Sequence, residues 1–425
     1  MNILVVGGGG REHAIIKKIK ENKDVSHIYA LPGNGGIAFD AECVDIKATD
    51  IDGIVGFAGE HNIDFAVVAP DDPLVMGCVD RLEAIGIPCF GPEAKAAIIE
   101  GSKAFSKELM KKYGIPTAKH RTFTDMNEAL EYVNSAPIPT VIKADGLALG
   151  KGVIIAMTRE EAVAAVKSMM ADKAFGKSGE KIVVEEFLTG PEVSVLAFTD
   201  GKTVVPMVSS MDHKRIGDGD KGLNTGGMGT VAPNPFYTEE VAERCMNEIF
   251  LPTINAMNSE GRTFRGCLYF GLMITSDGPK VIEYNCRFGD PETQVVLPLL
   301  KSDLLTIMMA VHDGRLAECK VEFDKGAACC VVLASNGYPE KYNTGFEITL
   351  PSVAEGQEIY IAGAKQSGGK LVTSGGRVLG AVAAADNLEI AVSKAYELAD
   401  SIKFEKAYCR RDIGKRALDY IRGAK

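Results

Sequence analysis

A short apolar run, Ile3-Leu4-Val5-Val6, ends at once in four glycines, Gly7 to Gly10, and a helical stretch follows from Glu12 to Lys20. Such a run, too short for a helix and closed by glycine, reads as a buried strand feeding a helix. The pattern recurs. His27 to Leu31 and Phe65 to Ala69 read as strands, and Asp72-Pro73 marks a helix start, with Asp72 as N-cap and Pro73 in the first turn, where its missing N–H is harmless. Gly86 suits the end of that helix, and Ile87 to Phe90 resumes a strand. Strands alternating with helices need crossover connections, which predicts a parallel sheet covered on both faces.

Beyond the break at Gly101-Ser102 and the stop at Gly114-Ile115-Pro116 the pattern changes. Thr140 to Ala144, Val153 to Ala156, Ile182 to Leu188, Val193 to Thr199 and Lys202 to Met207 read as strands, Arg159 to Ala171 as a helix, and Asp200-Gly201 as a hairpin turn. This is the pattern of a small antiparallel α+β unit. Glycines crowd Gly217 to Gly229, which reads as an ordered functional loop. A helix around Glu239 to Met257 precedes a hairpin, Cys267 to Thr275 and Lys280 to Asn285, turned by Ser276-Asp277-Gly278. The last hundred residues hold strands at Ala328 to Ala334 and Gly376 to Ala384 and a helix from Leu388 to Ser401, with a boundary expected near Lys325-Gly326. The fold class expected is α/β and α+β multidomain, in three parts: 1–101, 102–325 and 326–425.

A chain of 425 residues is too long for one ordinary core, so several packed units are expected. With 46% apolar and 24% charged residues it has the balance of a soluble globular protein. No apolar stretch approaches the roughly 20 residues of a membrane helix, and nothing in the first thirty residues reads as a targeting signal. The ten cysteines include no C-x-x-C pair and the six histidines are dispersed, so reduced thiols are expected in preference to disulfides or zinc. A net charge of −10 argues against a nucleic-acid partner while leaving room for a locally positive nucleotide pocket. The expectation is a cytoplasmic enzyme with small-molecule partners and no membrane contact.

The N-terminal glycines invite a dinucleotide-binding reading, but the third glycine of G-x-G-x-x-G falls on Glu12 or His13 in the two possible registers. The acid expected after the second strand is also missing, since Ala30-Leu31-Pro32-Gly33 stands there. A strand-to-helix turn whose backbone N–H groups meet an anion survives as a reading, beside that of a merely tight turn. A phosphate-bearing substrate fits it better than a nicotinamide cofactor.

Four features of the middle region point the same way. Lys143 ends an apolar strand and leads into the glycine-rich Asp145 to Gly152, which is no Walker A motif but can cover a polyphosphate. Val183 to Leu188 reads as a strand edge whose backbone can hold a purine, with a plain strand bearing solvated glutamates as the bland alternative. Glu283 and Asn285, two apart on a strand, share a face and offer the hard oxygens that suit Mg²⁺, with Arg287 following in the same parity if the strand stays regular. Asp212-His213-Lys214-Arg215 precedes Asn224-Thr-Gly-Gly-Met-Gly229, a pairing that favours binding of phosphate or carboxylate over a solvated basic surface.

The order of these features resembles that of the phosphoribosylamine–glycine ligase family of the ATP-grasp superfamily, nearly end to end. The residues that carry the resemblance are Gly9-Gly-Arg-Glu-His-Ala14, Glu100-Gly-Ser-Lys103, Lys143-Ala-Asp-Gly-Leu-Ala148, Gly150-Lys-Gly-Val153, Glu185-Glu-Phe-Leu188, Asp212 to Arg215, Asn224 to Gly229, Glu283-Tyr-Asn-Cys-Arg-Phe-Gly-Asp-Pro-Glu-Thr-Gln294 and Arg411-Asp-Ile-Gly414. The resemblance implies an N-terminal domain, a two-lobed ATP-grasp core with its lid lobe at about 117–190, and a small C-terminal α+β domain. It implies that Lys103, Lys143, Gly150, Lys151 and Gly152 contact ATP phosphates, that Glu185, Glu186, Phe187 and Leu188 hold adenine through their backbone, and that Glu192 binds ribose. Glu283 and Asn285 would bind Mg²⁺ or Mn²⁺. Asp212 and Arg287 would take the glycine amine and carboxylate, making Lys143, Asp212, Lys214 and Arg287 the catalytic set. Gly9, Gly10, Pro32, Gly33, Asn34, Asp71 and Asp290 would meet the phosphoribosylamine.

The activity implied is ATP-dependent ligation of glycine to 5-phosphoribosylamine through glycyl phosphate, in purine biosynthesis, by a monomer or weak oligomer. The sequence departs from the family pattern at Ala69-Pro-Asp-Asp-Pro-Leu74, where a glutamate commonly stands at Asp71, and from the wider superfamily at Gly271, where a metal-binding acid is common. Rival readings are an ATP-grasp ligase using bicarbonate or formate, a nicotinamide-dependent oxidoreductase, and a non-catalytic nucleotide-binding regulator.

Overall fold

In the computed structural model, which describes residues 1–147, 152–171 and 179–423, the N-terminal run Asn2–Gly7 is the middle strand of a five-stranded parallel sheet. The strand order is Glu42–Cys43, His27–Pro32, Asn2–Gly7, Phe65–Val68, Cys89–Phe90. Side chains alternate across this sheet, so Leu4 and Val6 enter one core with Phe250 and Phe270, while Ile3 and Val5 enter another with Leu297 and Tyr360. Both faces are therefore sealed by later parts of the chain. The order reverses between Asn2–Gly7 and Phe65–Val68, and a crevice opens beyond the carboxyl ends of strands at such a point. The Gly7–Gly10 turn and Asp71, at the start of helix Asp71–Val75, both lie there.

The lid lobe is a four-stranded antiparallel sheet, His120–Phe123, Ile182–Glu186, Thr140–Ala144, Val153–Ala156, backed by helices Met126–Ser135 and Arg159–Met170. Phe123, Val133, Ile142, Val166 and Val184 form its own separate core. The strand Ile182–Glu186 pairs on both sides, so the expected edge at Val183 to Glu186 is corrected to an interior position.

A second antiparallel sheet holds Val204–Pro206, Glu192–Thr199, Gly266–Thr275 and Gly278–Asn285 in that order, including the expected hairpin. A third runs Met211–Asp212, Gly229–Ala232, Ala327–Ser335, Arg377–Ala385, Gln357–Ile361, with Ala407–Tyr408 attached to Ala327–Ser335. Two of its strands precede Lys325, so the expected break at Lys325-Gly326 lies inside one continuous sheet. Among the described residues no helix is long and apolar enough to cross a membrane, and all ten cysteines are free thiols.

Candidate active site

The charges of three lysines from separate segments act on one carboxylate, that of Glu283. Lys143 leaves the end of Thr140–Ala144, donates to the Ile282 carbonyl at 3.0 Å and lies 3.1 Å from Glu185 Oε1. Lys103, at the start of helix Lys103–Tyr113, donates to the Gly146 carbonyl at 2.7 Å. Lys214 lies 3.2 Å from Glu192 Oε2 and 3.7 Å from Glu283 Oε1. Burial alone would raise the Glu283 carboxyl, yet Lys214, Lys143, Lys103 and Arg287 together hold it below the usual carboxylate range. Burial pulls the Lys103 ammonium down, with Glu283 opposing, while Glu192 pushes Lys214 well above the usual lysine range. The helix start that carries Lys103 is fixed by Ser102, which accepts the Phe105 N–H at 3.1 Å and donates to Asp145 at 3.0 Å.

A β-bulge decides where Glu283 faces. Gly271 pairs with Glu283 but Leu272 with Val281, which leaves Ile282 as the extra residue. Before the bulge Pro279 and Val281 are buried; after it Tyr284 is, and Glu283 and Asn285 turn to the open side. At Gly271 a Cβ would sit 3.0 Å from Glu283 Cγ, so this glycine gives the glutamate stem its space and supplies no acid. Among the described residues no group of three or more His, Cys, Asp or Glu is arranged to hold a metal. One carboxylate and one amide oxygen on a shared face fit a hard cation that keeps waters and shares phosphate oxygens.

Asp212 and Lys214 face this site, whereas their neighbours do structural work. His213 lies between the Gly229 carbonyl, 3.1 Å from Nδ1, and the Gly414 N–H, 3.2 Å from Nε2. Burial, reinforced by Arg410, brings it down to about 4, so it is the neutral ring that satisfies both groups. Arg215 donates to the Gly222 carbonyl at 2.7 Å within the glycine-rich hairpin. The basic cluster expected from Asp212 to Arg215 thus reduces to Lys214. Burial, added to repulsion from Glu292, raises the Asp212 carboxyl well above its usual range against the pull of Lys214 and Arg377.

Arg287 lies past the strand end at Asn285, so the expected regular parity stops short of it. It reaches Glu100 Oε1 at 3.1 Å, and Glu100 also accepts the Cys286 N–H at 2.8 Å. Among the described residues the buried Nε of Arg287 has no hydrogen-bond partner, a donor that a substrate carboxylate would satisfy. The charge of Asp71 reaches both Arg287 and Glu100.

The turn Gly7–Gly10 packs against Pro32-Gly33-Asn34. The Gly33 N–H donates to the Gly7 carbonyl at 3.1 Å, and Asn34 Nδ2 donates to Gly8 O at 2.9 Å and Ile361 O at 2.8 Å. A Cβ on Gly8 would meet the Gly33 carbonyl oxygen at 2.3 Å, and one on Gly9 would stand 3.4 Å from Asp290 Oδ2. Arg377 binds that same Asp290 oxygen at 3.1 Å and donates to Asp290 O at 2.9 Å and Gly226 O at 2.7 Å. Glu12 accepts the Gly9 N–H at 2.6 Å, taking one main-chain donor of the turn for itself.

The purine edge needs correcting in detail. The Glu186 N–H donates to Lys119 O at 2.9 Å, and the Glu185 carbonyl accepts from Thr140 Oγ1 at 2.9 Å. Partners on both sides of the interior strand take these groups, and the Glu185 side chain turns to the lysines. Phe187 and Leu188 follow the strand and are half-buried. Gly150 and Lys151 lie outside the described residues, while Gly152 O accepts the Ala144 N–H at 2.8 Å. Sequence reasoning missed Lys107 and Arg377, and it named Glu100 and Glu292 within motifs without giving them a role. Lys107 had a readable signal, since it stands one helical turn after Lys103. Arg377 had none.

Comparison with known proteins covers the same span. Family models for the phosphoribosylglycinamide synthetase N domain, ATP-grasp (A) domain and C domain match residues 1–100, 101–293 and 328–416. Phosphoribosylamine–glycine ligase of Vibrio vulnificus (strain YJ016) is 48% identical over 423 residues, covering 98% of this chain and 99% of that one. That of Pasteurella multocida (strain Pm70) is 47% identical over 422 residues, with 98% of each covered. The crystal structure of phosphoribosylamine–glycine ligase from Thermotoga maritima superposes with a TM-score of 0.86 at 34% identity, covering 97% of this chain and all of that one (100%). The biotin carboxylase domain of Hydrogenobacter thermophilus 2-oxoglutarate carboxylase, solved with MgADP and bicarbonate, shares the fold with a TM-score of 0.75 at 18% identity over 96% of this chain and 91% of that one. With its three domain models in order and its relatives matched from end to end, the chain belongs to the phosphoribosylglycinamide synthetase family of ATP-grasp ligases.

Proposed function

We propose that this chain joins glycine to 5-phosphoribosylamine at the expense of ATP, giving glycinamide ribonucleotide, ADP and phosphate in purine biosynthesis. The observation that carries the reading is the Glu283 carboxylate, 3.7 Å from Lys214 and under the charges of Lys143 and Lys103, with Asn285 on the same face. A glycine carboxylate oxygen attacks the γ-phosphorus of ATP, ADP leaves, and glycyl phosphate forms. The phosphoribosylamine nitrogen then attacks the acyl carbon, loses a proton and expels phosphate. A free carboxylate resists amines because oxide is a poor leaving group, and phosphorylation removes that obstacle.

Lys103, Lys143 and Lys214 bind and orient the phosphates, and Phe187 with Leu188 offers the adenine its backbone contacts. Glu192 takes the ribose. Arg287 and Asp212 hold the glycine carboxylate and amine, while Gly9, Gly10, Gly33, Asn34 and Asp290 receive the phosphoribosylamine. Glu283 and Asn285 would hold Mg²⁺, or Mn²⁺ in its place, which would supply neutralisation of phosphate charge. No covalent nucleophile is required; positioning and preorganised charge carry the rate. The proposed setting is the cytoplasm, as a monomer or weak oligomer.

The test is ADP release by the purified protein given MgATP, glycine and freshly generated phosphoribosylamine, with each omitted in turn. ADP should form only with the full set. ADP formation indifferent to glycine overturns the reading, and activity with bicarbonate or formate in its place would favour a different ATP-grasp ligase.

A further inference from the structure

Lys107 lies on the helix Lys103–Tyr113 with its side chain only 2% exposed. Its Nζ is 2.9 Å from Glu185 Oε2 and donates to Thr117 Oγ1 at 2.7 Å. The other oxygen of the same carboxylate faces Lys143 Nζ at 3.1 Å, and these two side chains are 4% and 5% exposed. Thr117 Oγ1 in turn donates to Val281 O at 2.7 Å, and Lys143 donates to Ile282 O at 3.0 Å. One buried carboxylate of the lid lobe is thus shared by two lysines, and both arms end on adjacent carbonyls of the strand that carries Glu283. Among the described residues Glu185 Oε1 receives no hydrogen bond of good geometry, and Lys143 is held there chiefly by charge.

A second buried lysine changes what Lys143 can do. In an isolated pair, moving Lys143 toward a phosphate would strand Glu185 as a buried, uncompensated anion, which is strongly unfavourable. With Lys107 in place Glu185 keeps a cation whichever way Lys143 turns. We propose that Lys107 is a positioning residue, the standing counter-charge of Glu185 that releases the Lys143 ammonium to the ATP phosphates. This rests on the assignment of Lys143 to ATP binding, and it predicts a role in nucleotide affinity for a lysine that itself meets no substrate.

The test compares Lys107→Met, Lys107→Arg and the double variant Lys107→Met/Glu185→Gln with wild type, reading binding of a non-hydrolysable ATP analogue with Mg²⁺ and the KM values for ATP and glycine. Lys107→Met should weaken analogue binding and raise the ATP KM about tenfold, the size of a coupling within one charge network, with the glycine KM unchanged. The double variant should recover to within about threefold of wild type, because Lys143 no longer has an anion to neutralise. Lys107→Arg should keep most of the affinity.

Titration gives a second readout. Burial brings Lys107 down to about 8, with Glu185 and Glu283 opposing and Lys143 reinforcing, so wild-type analogue binding should weaken as pH rises through 8. That limb should vanish in the double variant. Wild-type analogue affinity from Lys107→Met, or a double variant binding no better than Lys107→Met, overturns the proposal and leaves Lys107 a structural anchor. If Lys107→Met does not fold, the double variant and Lys107→Arg decide between the same outcomes. Loss of glycine dependence in the wild type would instead count against the ligase reading, leaving the analogue-binding result to stand separately.

Discussion

The two sides of the site are built from different materials. The side proposed for the polyphosphate is made of long charged side chains, Lys103, Lys143 and Lys214, tuned by Glu185, Glu192 and Glu283. The side proposed for the phosphoribosylamine is made of main chain, the Gly7–Gly10 turn, with the Asn224–Gly229 loop beside it, both held by side chains from elsewhere such as Asn34 and Arg377. Charge controls the first region and space controls the second. At Gly8 and Gly227 an added Cβ would meet Gly33 O at 2.3 Å and Pro291 Cδ at 2.5 Å. A substitution among the lysines should therefore change chemistry while sparing the fold, and one among the glycines should move backbone.

Glu283→Ala is the strongest challenge to this contrast. Losing one preorganised charged contact costs about 2–4 kcal/mol of transition-state stabilisation, or roughly thirty- to thousandfold in turnover. ADP-release assays should show that loss with little change in melting temperature, and near-normal activity at ordinary Mg²⁺ would remove Glu283 from the metal site.

The main-chain region should respond to acid. Folded His213 titrates near 4 against 6.5 for the free side chain, because burial disfavours its cation. Below pH 6.5 the unfolded chain takes the proton first, so stability present above 6.5 is lost as pH falls toward 4, by on the order of 3 kcal/mol. Denaturation curves across that window should flatten in His213→Gln; an unchanged slope would mean the ring is no anchor of the loop.

Gly8→Ala sharpens the contrast from the opposite side. Overpacking of this kind costs about 1–3 kcal/mol. It should lower the melting temperature and raise the KM for phosphoribosylamine while leaving nucleotide affinity alone. An effect on ATP binding as large as that on phosphoribosylamine would show that the two regions are not separable.

The smallest effect is expected from Tyr338→Phe. It removes the hydroxyl that accepts the Gly226 N–H at 3.1 Å and should cost about 1 kcal/mol or less, since water can replace the acceptor. Turnover should fall by a fewfold at most. A hundredfold loss would mean that Tyr338 meets substrate.

Much of this was open to reading from residues alone, and the failures share a cause. Ile3 to Val6 and the glycines after it predict a parallel strand that ends in a tight turn into a helix, because burial and backbone freedom are written locally, while its central place in the sheet was set by the strands that pair with it. Glu283 and Asn285 share a face as their spacing requires, although the bulge at Ile282 is what turns that face to the site. The strand through Glu185 looks like an edge in sequence and lies between two others in space, since its partners His120–Phe123 and Thr140–Ala144 are set by tertiary pairing. His213 looks basic in sequence, yet Gly229 and Gly414 make it a neutral clasp.

What the sequence determined by itself was the succession of elements, the strand-to-helix glycine turn, and the residue types able to bind phosphate and a hard cation. Periodicity, turn chemistry and donor identity are properties of neighbouring residues, and they survive in one dimension. Only the tertiary structure decided which cations share a carboxylate and which backbone groups remain free for a ligand. Lys107 with Glu185, Arg287 with Glu100, and Arg377 with Asp290 are joined across 78, 187 and 87 positions of chain. Electrostatic energy depends on distance in space and on burial, and neither quantity exists until the chain has folded.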